Sequence, residues 1–123
     1  MKKIFFLALL CTTFACTSKT KTSLDGRTFK IENYTGGQME GTELMTFRNG
    51  RVSNDECTKW GFGDASYTLD EKGNFRYTLT SDAEGKMNWE GQIAGTSISG
   101  KMVWIKAGQD DIHYTFKGEE VKN

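Results

Sequence analysis

Residues Lys86 to Ile105 read KMNWEGQI, then AGTS, then ISGKMVWI. Apolar and polar side chains alternate on both sides of Gly95-Thr96, and a two-residue pair with glycine first is a hairpin loop signal. Folding there sets Ile93 opposite Ile98, Trp89 opposite Met102 and Met87 opposite Trp104, all six on one face. The other face carries Asn88, Glu90 and Gln92 on one strand and Ser97, Ser99, Lys101, Val103 and Ile105 on the other. Crossed Met and Trp side chains on adjacent rungs bury much area and add sulfur-to-ring contacts of roughly 0.3–1.5 kcal/mol each. This hairpin is the expected centre of a sheet.

The same alternation recurs outward from it. Thr28 to Tyr34 reads as a strand with Phe29 and Ile31 inward, and Gly36-Gly37 through Gly41 as a loop. Glu43 to Arg48 follows with Met45 and Phe47 inward; Asn49-Gly50 then turns the chain into Arg51 to Asp55 and sets Phe47 opposite Val52. Ala65 to Asp70 and Asn74 to Thr80 flank Glu71-Lys72-Gly73, a register that pairs Leu69 with Phe75 and Tyr67 with Tyr77. A last strand, Ile112 to Gly118, points Ile112, Tyr114 and Phe116 inward. About eight short strands at roughly ten-residue spacing, with no helical period, predict an all-β fold. The expected architecture is an eight-stranded antiparallel up-and-down meander closing into a barrel, because closure removes exposed edges. Gly91 and Gly100 mark the bends that closure requires.

Residues 1–15 are set apart from the fold as a signal peptide. Lys2-Lys3 precede the apolar run Ile4 to Leu10, which is too short to span a bilayer permanently. Thr12-Thr13-Phe14-Ala15-Cys16 resembles a bacterial lipobox, which implies cleavage before Cys16 and lipid on its sulfur. The alternative is an ordinary secretory signal cut after Ala15. Residues 16–23 then form the lipidated cysteine and a polar tether, and residues 24–123 the barrel domain. Several acyl chains on Cys16 anchor a protein stably where one would be marginal. A lipid-anchored protein of the cell envelope is expected, on the outer membrane and facing the periplasm, since Lys19 and Lys21 stand where surface-bound lipoproteins of some bacteria carry acidic residues.

Cys11 leaves with the leader and Cys16 is consumed by lipid, so Cys57 has no partner within the mature chain. Three fates are open to it: a buried thiol, an intermolecular bridge or a reactive group. Removing Lys2 and Lys3 from sixteen basic residues leaves a formal charge of −2 against sixteen acidic ones. That balance excludes the basic face of a nucleic-acid module.

Candidate chemistry is sparse. His113, the one histidine, alternates outward beside Asp110 and Asp111, and a solvated turn is favoured over a metal site. A Cys57-His113 nucleophilic pair would need hydrogen-bond reach and an orienting third group, for which the spacing gives no support. No phosphate loop, paired-carboxylate frame or zinc spacing appears, so neither a cofactor nor enzymatic activity is expected. The loop Glu56 to Gly63 holds the tentative binding residues Cys57, Trp60 and Phe62. Its two rings read either as a cap over a barrel end, which is preferred, or as an exposed pair gripping a partner.

The motif series Leu24-x-Gly26-x-x-Phe29, an Asn-Gly turn, Cys57-x-x-Trp60-Gly61-Phe62, the GKMxWxG of Gly85 to Gly91 and Tyr114-x-Phe116-x-Gly118 resembles a group of small secreted or lipid-anchored bacterial β-barrel domains, broadly calycin-like. The resemblance implies a small barrel and carries no activity with it. Lipocalins proper differ in having Gly-x-Trp in the first strand. Two functions are therefore expected: first a solid-cored interaction module for an envelope protein or cell-wall component, and second a lipocalin-like binder of a small apolar ligand.

Overall fold

The computed structural model describes residues 23–122; the expected leader, Cys16 and the tether up to Thr22 lie outside the described residues. The elements are β1 (Thr28–Thr35), β2 (Gln38–Arg48), β3 (Arg51–Asn54), a single helical turn α1 (Asp55–Thr58), β4 (Ala65–Ser66), β5 (Thr68–Leu69), β6 (Asn74–Ser81), β7 (Gly85–Ala94), β8 (Ser97–Ile105) and β9 (Ile112–Glu120). They form one antiparallel sheet in the order β4-β3-β2-β1-β9-β8-β7-β6-β5. The two outermost strands, β4 and β5, are separated in the chain by Tyr67 alone. The sheet therefore wraps into a nearly closed up-and-down barrel, with Ala65–Leu69 as one strand that changes partners midway.

The central hairpin has the predicted register. Ile93 faces Ile98, Trp89 faces Met102 and Met87 faces Trp104, with Gly95 at a φ of 66° in the loop. Asn49 and Gly50, at φ of 53° and 77°, make the tight turn that sets Phe47 opposite Val52. Gly91 and Gly100 lie opposite each other at the predicted bend. A Cβ at either position would run into neighbouring backbone and the Phe116 ring, so the missing side chains make room for that ring.

Tyr67 does not pair with Tyr77 as the alternation predicts. The ladder stops at Thr68, and Tyr77 pairs with Trp89 on its other side. The Tyr67 hydroxyl donates to Asp25 Oδ1 at 2.7 Å and accepts the Leu24 amide at 2.8 Å, while its ring packs edge-on against Phe47 at 4.9 Å. Held by those contacts, the chain breaks there, and Ala65-Ser66 is free to join β3. Two smaller differences follow from local geometry. The loop expected through Gly41 shrinks to the Gly36-Gly37 turn, because β2 starts at Gln38 and absorbs an extra residue, Glu40, as a bulge. Asp55 opens α1 instead of ending β3.

The barrel has a closed end and an open one. Leu24, the turns at 49–50, 71–73 and 95–96, and the end of β9 gather at the first. There Asp25 accepts the Gly50 amide, and Arg27 donates to Gly95 O and pairs with Glu120 at 2.7 Å. The middle is filled. Trp89, 1 % exposed, stacks on Tyr77 at 5.7 Å and tilts against Phe116 at 5.2 Å, with Phe29, Phe47 and Phe75 buried around them.

Candidate functional site

The open end is formed by the Gly36-Gly37 turn, α1 with the loop after it, the connection from Ser81 to Gly85 and the connection from Ile105 to Ile112. Alternation brings Asn33, Glu43 and Asn54 inward there, in step with Ile31, Met45 and Val52. Glu43 is 7 % exposed. Its Oε2 accepts from Asn33 Nδ2 at 2.6 Å and its Oε1 from the Cys57 thiol at 3.6 Å. Burial pushes its carboxyl above the ordinary range, against the pull of those two donors. Asn54, 1 % exposed, accepts the Tyr77 hydroxyl at 2.8 Å, and its Nδ2 faces Glu43 without reaching a bonded partner. The Asn33 side-chain oxygen Oδ1 is also buried with no donor.

Of the three expected binding residues, two are buried and one is free. Cys57, on α1, is 6 % exposed and is the buried thiol of the three readings; its sulfur lies 3.6 Å from Met87 Sδ. Burial first, then the charge of Glu43, drives its pKa up, so the reactive thiolate is strongly disfavoured. Phe62 is 2 % exposed and joins the core, whereas Trp60 is 65 % exposed. The expected two-ring cap is thus half formed. Backbone bonds from Trp60 N and Phe62 N to Cys57 O fold the loop tightly, and Gly61, at a φ of 88°, sends the two rings apart. The Ser81 hydroxyl donates to Trp60 O at 3.0 Å. Trp60 therefore has a fixed backbone and a ring in water.

Two adjoining clefts open here. One of about 330 Å³ is lined by Asn33, Glu40, Glu43, Cys57 and Met102, the other of about 310 Å³ by Phe62, Glu84 and Trp104; Trp60, Met87 and Tyr114 belong to both. The β2 bulge accounts for Glu40 reaching this rim. Wider hollows of about 760 and 810 Å³ lie along the outer wall, but residues such as Lys30, Ser99 and Arg76 line them and no buried polar group does. His113 is exposed on the outside of β9, away from the inward-facing Cys57, so those two form no pair. Among the described residues, no three His, Cys, Asp or Glu side chains converge as a metal cluster.

The loop aromatics are legible as candidates in the sequence; no motif marks the polar floor. Asn33, Glu43 and Asn54 share the parity of the inward apolar residues, and extending that parity to the strand ends is the signal that finds them. No family model, curated protein or solved structure matches the chain.

Proposed function

We propose that this barrel is a non-enzymatic interaction module of the bacterial cell envelope, lipid-anchored through Cys16, which grips a partner at its open end. One observation carries the reading: Trp60, alone of the three tryptophans, stands in water, on a loop whose backbone is tied down beside two clefts. Aromatic anchors on rigid supports are the residues that dominate recognition surfaces. The chain enters the domain at the closed end, so a tether from the membrane leaves the other end clear. A filled middle suits a surface that binds at its rim.

The test is site-directed photocrosslinking in the cells that make the protein, with the crosslinking residue at Trp60 or, as control, at outward-facing Thr78. A discrete envelope adduct from position 60 that is missing from position 78 supports the reading. Equal labelling from both positions removes it. The apolar lining of the cleft beside Phe62 and Trp104 favours a second reading, a small apolar ligand, and its volume falls at the low end of the usual ligand scale. Native mass spectrometry of protein purified from its own cells would then show a retained small molecule.

A further inference from the structure

We propose that the cleft over Glu43 receives a lysine side chain from a partner polypeptide, with its ammonium against Glu43 and the Asn33 amide oxygen. The inference rests on the open end being the recognition surface and names the group recognised there. Its starting point is acceptor capacity left unused on this floor, beside one unpartnered donor, Asn54 Nδ2. The Asn33 oxygen is buried without a donor, and the Glu43 carboxylate has lone pairs left after its bonds from Asn33 and Cys57. Among the described residues, no Lys or Arg pairs with Glu40, Glu43 or Asp55. Two cations of this end are already committed: Lys59 to Glu56 and Lys106 to Glu84, each at 2.9 Å. A donor-rich cation would use the acceptor sites that Asn33, Cys57 and Asn54 leave unfilled.

The walls suit a methylene stem. Met87, Met102, Tyr114 and Trp60 line the same cleft as Glu43, and alkyl chains of lysine lie readily along such surfaces while the charged head seeks its own partner. The Trp60 and Tyr114 rings offer apolar faces to that stem near the rim. Guanidinium fits less well. A bidentate fork needs both carboxylate oxygens open in one plane, and here each already accepts a bond. A side chain presented on a polypeptide also leaves its flanking residues at the rim, beside the exposed Trp60.

The experiment titrates the full mature chain with end-blocked Gly-Lys-Gly, Gly-norleucine-Gly and Gly-Arg-Gly, and with free pentylammonium. Amide NMR signals of β2 and α1 and the Trp60 indole signal are followed. The lysine peptide is expected to shift them saturably and to bind at least about tenfold tighter than the norleucine peptide. Glu43→Gln is expected to abolish that preference. Because Glu43 is buried, Asn33→Ala and Glu40→Gln are measured beside it, and a lysine preference unchanged in both overturns the proposal even where Glu43→Gln does not fold. Equal binding of lysine and norleucine peptides also overturns it, yet leaves the open end as an apolar recognition surface. Arginine binding as tightly as lysine removes the ammonium selectivity, and pentylammonium binding where the peptides do not removes the polypeptide source. Silence with all four probes overturns the lysine proposal, while the reading of the open end stands or falls on crosslinking from position 60.

Discussion

Trp89 and Trp104 have the same alternation in the sequence but unequal positions in the barrel. Trp89 is packed between Tyr77 and Phe116, 1 % exposed, and its indole N–H has no partner. Trp104 is half-buried; its indole donates to Glu84 O at 2.7 Å, and the Lys106 ammonium lies 5.9 Å from its ring centre. Trp89→Ala is expected to cost about 3–5 kcal/mol in urea unfolding, the usual cost of emptying a large aromatic site. Trp104→Ala should cost roughly 2 kcal/mol, because less area leaves contact with the core, and His113→Ala should change nothing measurable. Trp89→Phe, which also removes the unpartnered donor, is expected to cost less than the alanine change. Glu43 makes a second test at this scale. Its folded-state pKa is raised, so between the ordinary carboxylate value and the raised one the folded protein keeps a proton that the unfolded chain has lost. Stability from this group is therefore complete at low pH and falls as pH rises through that window. Urea midpoints from about pH 4 to about pH 8 are expected to decline less steeply in Glu43→Gln than in the parent, and parallel curves would mean the carboxyl is not strained by burial.

At the scale of elements, the β7–β8 hairpin depends on what its glycines leave empty. A Cβ at Gly100 would overlap the Glu90 carbonyl and come within 2.7 Å of Phe116 Cζ, so backbone as well as ring must shift. Gly100→Ala is expected to cost about 1–3 kcal/mol, the usual penalty for overpacking. Gly63→Ala, at a position with no left-handed φ and nothing within 4 Å, should be neutral or slightly stabilising when measured the same way. These elements also show how far the sequence could be read. Hairpin registers are legible because Gly95-Thr96, Asn49-Gly50 and Glu71-Lys72-Gly73 each fix which residues face one another next to the turn, as Ile93–Ile98, Phe47–Val52 and Leu69–Phe75 do. The break at Tyr67 was hidden, since alternation runs unbroken from Ala65 to Asp70 and the cause is a long-range hydroxyl contact to Leu24 and Asp25. The opposite fates of Trp60 and Phe62 were hidden for a similar reason. Loop residues have no period, and only the tight fold around Cys57 O and Gly61 decides which ring turns in.

For the whole molecule, the two ends of the barrel differ in their lining, and with lipid on Cys16 the route of the chain would set which end faces the membrane. Leu24 is buried at the closed end, and its amide is bound by Tyr67. Residues 17–23 reach at most about 25 Å when fully extended. With lipid on Cys16, that short tether leads to the closed end. The strands then act as a spacer: the ten residues of β7 span roughly 33 Å along the strand, so even a tilted barrel lifts Trp60 clear of the headgroups. Intact-mass measurement of the mature protein is expected to show an acylated chain beginning at Cys16. On vesicles containing brominated lipid, the same protein should retain its Trp60 fluorescence, isolated by replacing Trp104 with Phe and subtracting the signal of the matching Trp60→Phe variant. Strong quenching of Trp60 would mean that the open end lies against the bilayer, where it could not meet a partner from the far side. An unmodified Cys16 would leave the barrel intact but remove the anchor, and with it the physical reason for the open end to face outward.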